Sequence, residues 1–310
     1  RERQMDRRPI GYGKTSVGSI KGESSHQEHP FMAWMTKNAT QTTGEVYAMH
    51  FIYSGNFIAQ LEKSQFDSIR AVMGIHPADF GWKLESGDAF DTPEVVLTYS
   101  ADGLGTMTRN FHDFYRNHLI RSKYRNQKRP ILINNWEATY FDFDTEKLLD
   151  IARTAAKHGI EMLVMDDGWF GHRNDDSTSL GDWFVNEEKI TGGLKYLVDE
   201  VNKLGLKFGI WMEPEMISPD SKLYKEHPDW AIAVKDRVGT LSRNQYVLDL
   251  SRKEVRDCIY DKIHAILSSA NIAYVKWDMN RSMADVYAGN LSHDYVLGVY
   301  DFMERLCNRY

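Results

Sequence analysis

Tyr274-Val275-Lys276-Trp277-Asp278-Met279-Asn280-Arg281 is the stretch on which the fold turns. Tyr274, Val275 and Trp277 have the β-branched and aromatic character of a buried strand. Alternation along that strand points Lys276, Asp278 and Asn280 the same way. Two opposite charges and an amide therefore converge where the strand ends. A strand that only builds core does not want such residues facing inward, because buried charge is costly unless it is paired. The bland reading of the pattern is a structural Lys–Asp ion pair.

Working back from this strand, the grammar after Pro130 alternates strand and helix. Strands are predicted at Ile131 to Asn134, Met162 to Met165, Lys207 to Trp211 and Tyr274 to Trp277. Helices are predicted at Thr145 to His158, Leu194 to Leu204, Lys253 to Ser268 and His293 to about Asn308. Gly159 and Gly205 stop the first two. Four β–loop–α units with apolar strands imply a parallel sheet with helices outside. A doubly wound sheet is one solution. A (β/α)8 TIM barrel is preferred, because every strand ends in polar or aromatic residues that face a common mouth. An open sheet would gather them at one switch point. No Gly-rich phosphate loop follows any strand, which counts against nucleotide binding.

Before Pro130 the chain reads as β-rich. Strands are expected at Phe31 to Lys37, Glu45 to Tyr53, Phe57 to Glu62 and Glu94 to Tyr99, with Ser54-Gly55-Asn56 as a hairpin turn. Met107, Phe111, Tyr115 and Leu119 make one face of a helix from about Thr106 to Leu119. The basic run Arg121 to Arg129 reads as a solvated linker. The organisation expected is residues 1–120 as the C-terminal part of an N-terminal β-sandwich domain, 121–130 as linker, and 131–310 as the first half of a catalytic barrel.

Composition bounds the function. The 310 residues are 42% hydrophobic and 26% charged, ordinary for a soluble globular protein. A net charge of −6 argues against a nucleic-acid or anionic-membrane partner. No apolar run is long enough to span a bilayer and no secretory signal is visible. Cys258 and Cys307 sit in helical patterns and read as reduced core thiols, which points to the cytoplasm. His26 and His29 have a loose metal-ligand spacing without a supporting cluster, so no metal is expected.

The strand ends together offer Trp136 and Glu137, then Asp166, Asp167 and Trp169, then Trp211, Glu213 and Glu215, then Lys276, Asp278 and Asn280. Carboxylates accept hydrogen bonds from sugar hydroxyls, indoles stack on pyranose faces, and paired carboxylates are the chemistry of glycoside hydrolysis. Each element also has a plain role. Asp166-Asp167 could cap a loop, Trp136 and Trp211 could be core, and Glu213 and Glu215 could hold loops around Pro214. Arg243 would ordinarily be a surface residue.

Several motifs resemble the bacterial α-galactosidases of glycoside hydrolase family 36. They are Lys276-Trp277-Asp278-Met279-Asn280, Asp166-Asp167-Gly168-Trp169-Phe170-Gly171, Asn135-Trp136-Glu137-Ala138-Thr139, Trp211-Met212-Glu213-Pro214-Glu215-Met216 and Ser24-Ser25-His26-Gln27. The resemblance implies retaining hydrolysis of terminal α-D-galactosyl residues from sugars such as melibiose and raffinose, within galactoside catabolism. It implies Asp278 as nucleophile, Asp166 and Asp167 on galactose hydroxyls, Trp136 and Trp211 as aromatic walls, and Arg243, Lys276 and Asn280 as polar contacts. It implies no cofactor, and a homo-oligomer, a tetramer, at full length. The family's acid/base aspartate matches no residue here. The chain starts without methionine and reads as a fragment, expected to be inactive alone. Lys276 is expected to keep Asp278 ionised. A galactosyl transferase or raffinose synthase, an α-N-acetylgalactosaminidase and a non-catalytic galactoside-binding fragment are the alternatives.

Overall fold

The computed structural model describes residues 7–24 and 28–310. His26, and the part of its motif at 25–27, lie outside the described residues. The chain divides into two compact units. The first runs to Gln127 and includes Ala288–His293; the second comprises Lys128–Tyr287 and Asp294–Tyr310.

The first unit carries β1 (Gly13–Ser19), β2 (Phe31–Met35), β3 (Val46–Phe51), β4 (Phe57–Lys63), β5 (Ile69–Ile75) and β6 (Val95–Ser100). They form two antiparallel sheets, ordered β1-β4-β5 and β2-β3-β6. β3 and β4 thus lie in different sheets, and Ser54-Gly55-Asn56 is a crossover, not the expected hairpin turn. Its polar groups are engaged elsewhere: the Gly22 N–H donates to Asn56 Oδ1 at 2.6 Å and the Ser24 N–H to the Ser54 carbonyl at 2.7 Å. Helix α1 (Gly103–Phe114) buries Met107 and Phe111 against Ala39, Val46 and Ala48. The helix expected as far as Leu119 is α-helical only to Phe114. A π-helical turn takes over at Tyr115–Leu119, and Leu119 is left exposed. β1 and β5 were not marked in the sequence, because most of their side chains are exposed or half-buried and carry no apolar rhythm.

The second unit runs β7 (Leu132–Asn134), α2 (Trp136–Thr139), α3 (Thr145–Lys157), β8 (Met162–Met165), α4 (Gly193–Lys203), β9 (Lys207–Met212), β10 (Met216–Ile217), α5 (Lys222–Glu226), β11 (Tyr246–Val247), α6 (Lys253–Ser269), β12 (Ile272–Trp277) and α7 (Leu291–Arg309). β7, β8, β9 and β12 form one parallel sheet in sequential order. There is no reversal of strand order, so there is no switch point. The sheet is that of a (β/α)8 barrel, of which four βα units are present.

Local chemistry explains the repeats. Asp144 caps α3 by accepting the Lys147 N–H at 2.9 Å. Leu148, Leu149, Ala152 and Ala155 then form its buried stripe. Gly159 follows with φ 77°, a left-handed conformation that stops the helix at little cost. In α4, Leu194, Leu197, Val198 and Val201 repeat the pattern. β8 is buried at every position and β9 at all but the first. β12 is not the buried strand that its sequence suggests: Tyr274 is 41% exposed. The reason is position, since β7 and β12 are the outer strands of the sheet and each has a neighbour on one side only. The cysteines also differ from expectation. Both are free thiols, but Cys258 is half-buried and Cys307 is exposed, so neither is core. Among the described residues no helix is long and apolar enough to cross a membrane.

Candidate active site

The C-terminal ends of β7, β8, β9 and β12 bring the polar residues of the second unit together. Asp166 follows β8 directly and is 2% exposed. Its Oδ2 accepts from Lys276 Nζ at 2.7 Å and from Asn134 Nδ2. Its Oδ1 accepts the Asp167 N–H at 2.9 Å, and its own N–H donates to Asn135 Oδ1 at 2.7 Å. The Lys276 ion pair reaches past β9, from β12 to β8, so the strand ends curve in toward one mouth. The sequence reading set this ammonium beside Asp278; its ion pair is with Asp166.

Asp167 is clamped by Arg173. Arg173 Nε lies 3.0 Å from Oδ1 and 3.2 Å from Oδ2, and Nη2 lies 2.8 Å from Oδ2. Both side chains are nearly sealed from solvent. Burial pushes the Asp167 carboxyl above its usual range, with Arg173 opposing that rise. Nothing in the spacing of the sequence marks Arg173, which sits in a polar loop. Lys189 holds the same loop in place by donating to the Gly168 and Arg173 carbonyls, at 3.0 and 3.3 Å.

Asp278 comes just after β12. Its Oδ2 accepts from Trp211 Nε1 at 3.0 Å and from Asn280 Nδ2 at 2.8 Å, and its Oδ1 accepts the Met279 N–H at 3.2 Å. Its own N–H donates to the Met212 carbonyl at 2.8 Å, extending the β9–β12 ladder by one bond. A carboxylate held by three donors keeps its orientation.

Glu213 and Glu215 are supports. Glu213 is 1% exposed, and its Oε1 accepts from Gln245 Nε2 at 2.8 Å and from the Asn280 N–H at 2.7 Å. Burial, with the charge of Asp278 adding to it, raises Glu213 to about 7. Glu215 takes Trp277 Nε1 at 2.7 Å on one oxygen and the Tyr295 hydroxyl at 2.6 Å on the other. Burial raises its pKa as well.

The tryptophans separate into two kinds. Trp169 is fully buried and donates from Nε1 to the Trp211 carbonyl at 2.9 Å, which makes it core. Trp211 is 1% exposed, stacked at 12° on Phe170, and presents its N–H to Asp278. Trp136 is half-buried on α2, edge-on to Tyr140 and Phe141. Glu137 is exposed, with only a 3.5 Å contact to the Tyr140 hydroxyl. Arg243 is exposed at the tip of a tight turn, where Ser242 pairs with Gln245 and both Arg243 and Asn244 have positive φ.

Asn134, Arg173 and Gln245 are site residues that the sequence reading does not single out, and Asn135 stands in a quoted motif without an assigned role. Strand alternation flags Asn134, two positions before Trp136 and at the end of β7. Arg173 and Gln245 carry no one-dimensional signal.

A family profile described as Melibiase matches residues 89–310, and one described as the N-terminal domain of glycosyl hydrolase family 36 matches residues 1–85. The bifunctional alpha-galactosidase/sucrose kinase AgaSK of Mediterraneibacter gnavus is 56% identical over 309 residues, covering 100% of this chain and 33% of that protein. Alpha-galactosidase AgaA of Geobacillus stearothermophilus is 52% identical over 318 residues, covering 100% of this chain and 44% of that protein. A crystal structure of an AgaA variant in complex with raffinose superposes with a TM-score of 0.96 at 51% identity, covering 98% of this chain and 44% of that one. The chain therefore spans well under half the length of these relatives.

Proposed function

The chain belongs to glycosyl hydrolase family 36, and on that premise we propose that it carries the nucleophile half of a retaining α-galactosidase site. The observation that carries the reading is the setting of Asp278. It is a partly exposed carboxylate at a strand end, oriented by Trp211, Asn280 and a backbone N–H. Asp278 attacks the anomeric carbon of a terminal α-D-galactosyl residue and expels the aglycone, giving a covalent glycosyl-enzyme that water then hydrolyses. The two inversions leave the product with the α configuration of the substrate.

Asp166 and Asp167, each already oriented by a cation, accept hydrogen bonds from galactose hydroxyls. Lys276, Asn280 and Arg243 supply donors, and Trp136 and Trp211 bound the sugar's apolar face. The second carboxyl that the mechanism needs is assigned to no residue in this stretch. Glu213 has the raised pKa of a general acid, but such a group must reach the leaving oxygen, and Glu213 is sealed behind Asn280 and Gln245. Substrates of the raffinose and melibiose type, a cytoplasmic location and homo-oligomeric assembly at full length belong to the same reading. Transfer of galactose to an acceptor sugar shares this nucleophile and competes with water in the second step.

The test is made on the full-length protein. A 2,4-dinitrophenyl 2-deoxy-2,2-difluoro-α-galactoside should inactivate it, and peptide mapping by mass spectrometry should find the label on Asp278. Proton NMR of aryl galactoside hydrolysis should show the α anomer first. A β anomer first, or label on another residue, overturns the assignment.

A further inference from the structure

The geometry points to Arg281 and Asp285 as positioning residues that latch the Arg243 turn to the chain just past the Asp278 strand end. The inference rests on the functional reading above, in which Arg243 contacts the sugar.

The turn's own closure is weak: the Ser242 N–H donates to the Gln245 carbonyl at 3.4 Å and the Gln245 N–H to the Ser242 carbonyl at 3.2 Å, both long. Arg243 and Asn244 have φ of 51° and 60°, two successive left-handed residues without a glycine. Asn tolerates that conformation, but Arg does not favour it. The Arg243 guanidinium is exposed and makes no ion pair among the described residues. Without outside anchors such a segment would sample many conformations, and its guanidinium would be spread over a large volume.

Beyond a long 3.4 Å contact from Asn244 Nδ2 to Asp176 Oδ1, the main anchors come from residues 281 and 285. The Arg281 side chain is buried, 6% exposed. Its Nη1 donates to the Thr240 carbonyl at 2.7 Å and to the Gln245 carbonyl at 2.8 Å, so one nitrogen grips both feet of the turn. Its Nε donates to the Ser282 carbonyl at 3.0 Å, which fixes the plane of the guanidinium. Asp285 takes the Thr240 N–H on one oxygen at 2.7 Å and the Thr240 hydroxyl on the other at 2.9 Å. Gln245 is held a third way, through its side chain to Glu213, whose carboxylate also holds the Asn280 N–H. The Arg243 turn and the Asp278 carboxylate therefore hang on one hydrogen-bonded frame. A lysine at 281 has the charge but is one bond shorter and has no Nε donor, so it cannot keep all three carbonyl contacts at once.

A double-mutant cycle on the full-length protein tests this. Arg281→Lys and Asp285→Asn should each lower kcat/KM for an aryl α-galactoside by roughly tenfold to a hundredfold, the scale of a misplaced binding group. The loss should fall mainly on KM. In an Arg243→Ala background either change should cost almost nothing more, because the latch acts through Arg243. Full additivity, or no loss in either background, overturns the proposal. Limited trypsinolysis gives a second readout that needs no turnover. Both latch variants should be cut after Arg243 at least about tenfold faster than wild type, by mass-spectrometric mapping, since opening of the turn precedes cleavage. Unchanged cleavage overturns the latch even if one variant folds poorly, because Asp285→Asn leaves the buried arginine in place. Faster cleavage in a protein that hydrolyses no galactoside keeps the latch and sinks the functional reading instead.

Discussion

The indole N–H of Trp211, on β9, donates to Oδ2 of Asp278, on the neighbouring strand end, at 3.0 Å. The ring that makes this bond is itself 1% exposed and stacked on Phe170. Its donor direction is therefore fixed by core packing, and the carboxylate is aimed by a group that cannot swing away. Trp211→Phe keeps an aromatic ring but deletes the donor, and leaves a small cavity where the rest of the indole stood. A hydrogen bond to a charged group is worth about 1.5–3 kcal/mol, so turnover should fall about tenfold or more while the fold survives. Wild-type kinetics in that variant would show that Asn280 and the Met279 N–H suffice.

Asp278→Ala should abolish hydrolysis of even activated aryl galactosides, since a good leaving group does not replace a nucleophile. Azide should restore part of the rate and give β-galactosyl azide, because one inversion has been removed. Retained activity without azide would remove Asp278 from the mechanism.

Glu213 predicts a pH dependence of stability. Burial holds it at about 7 when folded, against 4.5 for an ordinary glutamate. Between those values the unfolded chain has lost this proton and the folded protein keeps it. Stability therefore falls as pH rises from about 4.5 to 7, by about 3 kcal/mol in all, and stays low above that. Glu213→Gln cannot ionise. Its melting temperature should match wild type near pH 4.5 and exceed it at pH 8. A difference between the two proteins that does not vary with pH would refute this.

Arg173 and Asp167 form the most enclosed ion pair of the site. Arg173→Met strands a buried carboxylate and should cost about 3–5 kcal/mol. The double change Arg173→Met with Asp167→Asn should cost less than the sum of the two single changes, because it removes the stranded charge. Chemical denaturation of the four proteins measures the coupling, and strict additivity would argue against a structural pair.

The barrel half is legible in the sequence because its periodicity is uninterrupted. β8 reads Met162 to Met165 and is buried throughout, and the helices carry their stops at Gly159 and Gly205. In the antiparallel half, β1 and β5 face solvent along much of their length and leave no such trace. The polar strand-end residues are legible as a set, since alternation and the strand boundary fix their direction. Who pairs with whom is not. Lys276 is two residues from Asp278 in the chain, yet its ion pair is with Asp166, because curvature of the sheet decides that distance. Arg173 and Gln245 lie in loops, where position depends on tertiary bonds such as those of Lys189 and Arg281.

The strand ends are bonded to one another across the sheet: Asn134 to Asp166, Asp166 to Lys276, Trp211 to Asp278, and Glu213 to Asn280. This bears on how such a barrel can be recombined. A crossover between β7 and β8 separates Asn134 from Asp166. One between β8 and β9 separates Asp166 from Lys276, and one between β9 and β12 separates Trp211 from Asp278. No point within the four units lets a chimera inherit every pair from a single parent. Gene shuffling among relatives should therefore return functional hybrids mainly when the segment from Asn134 to Asp285 travels as one heritable block.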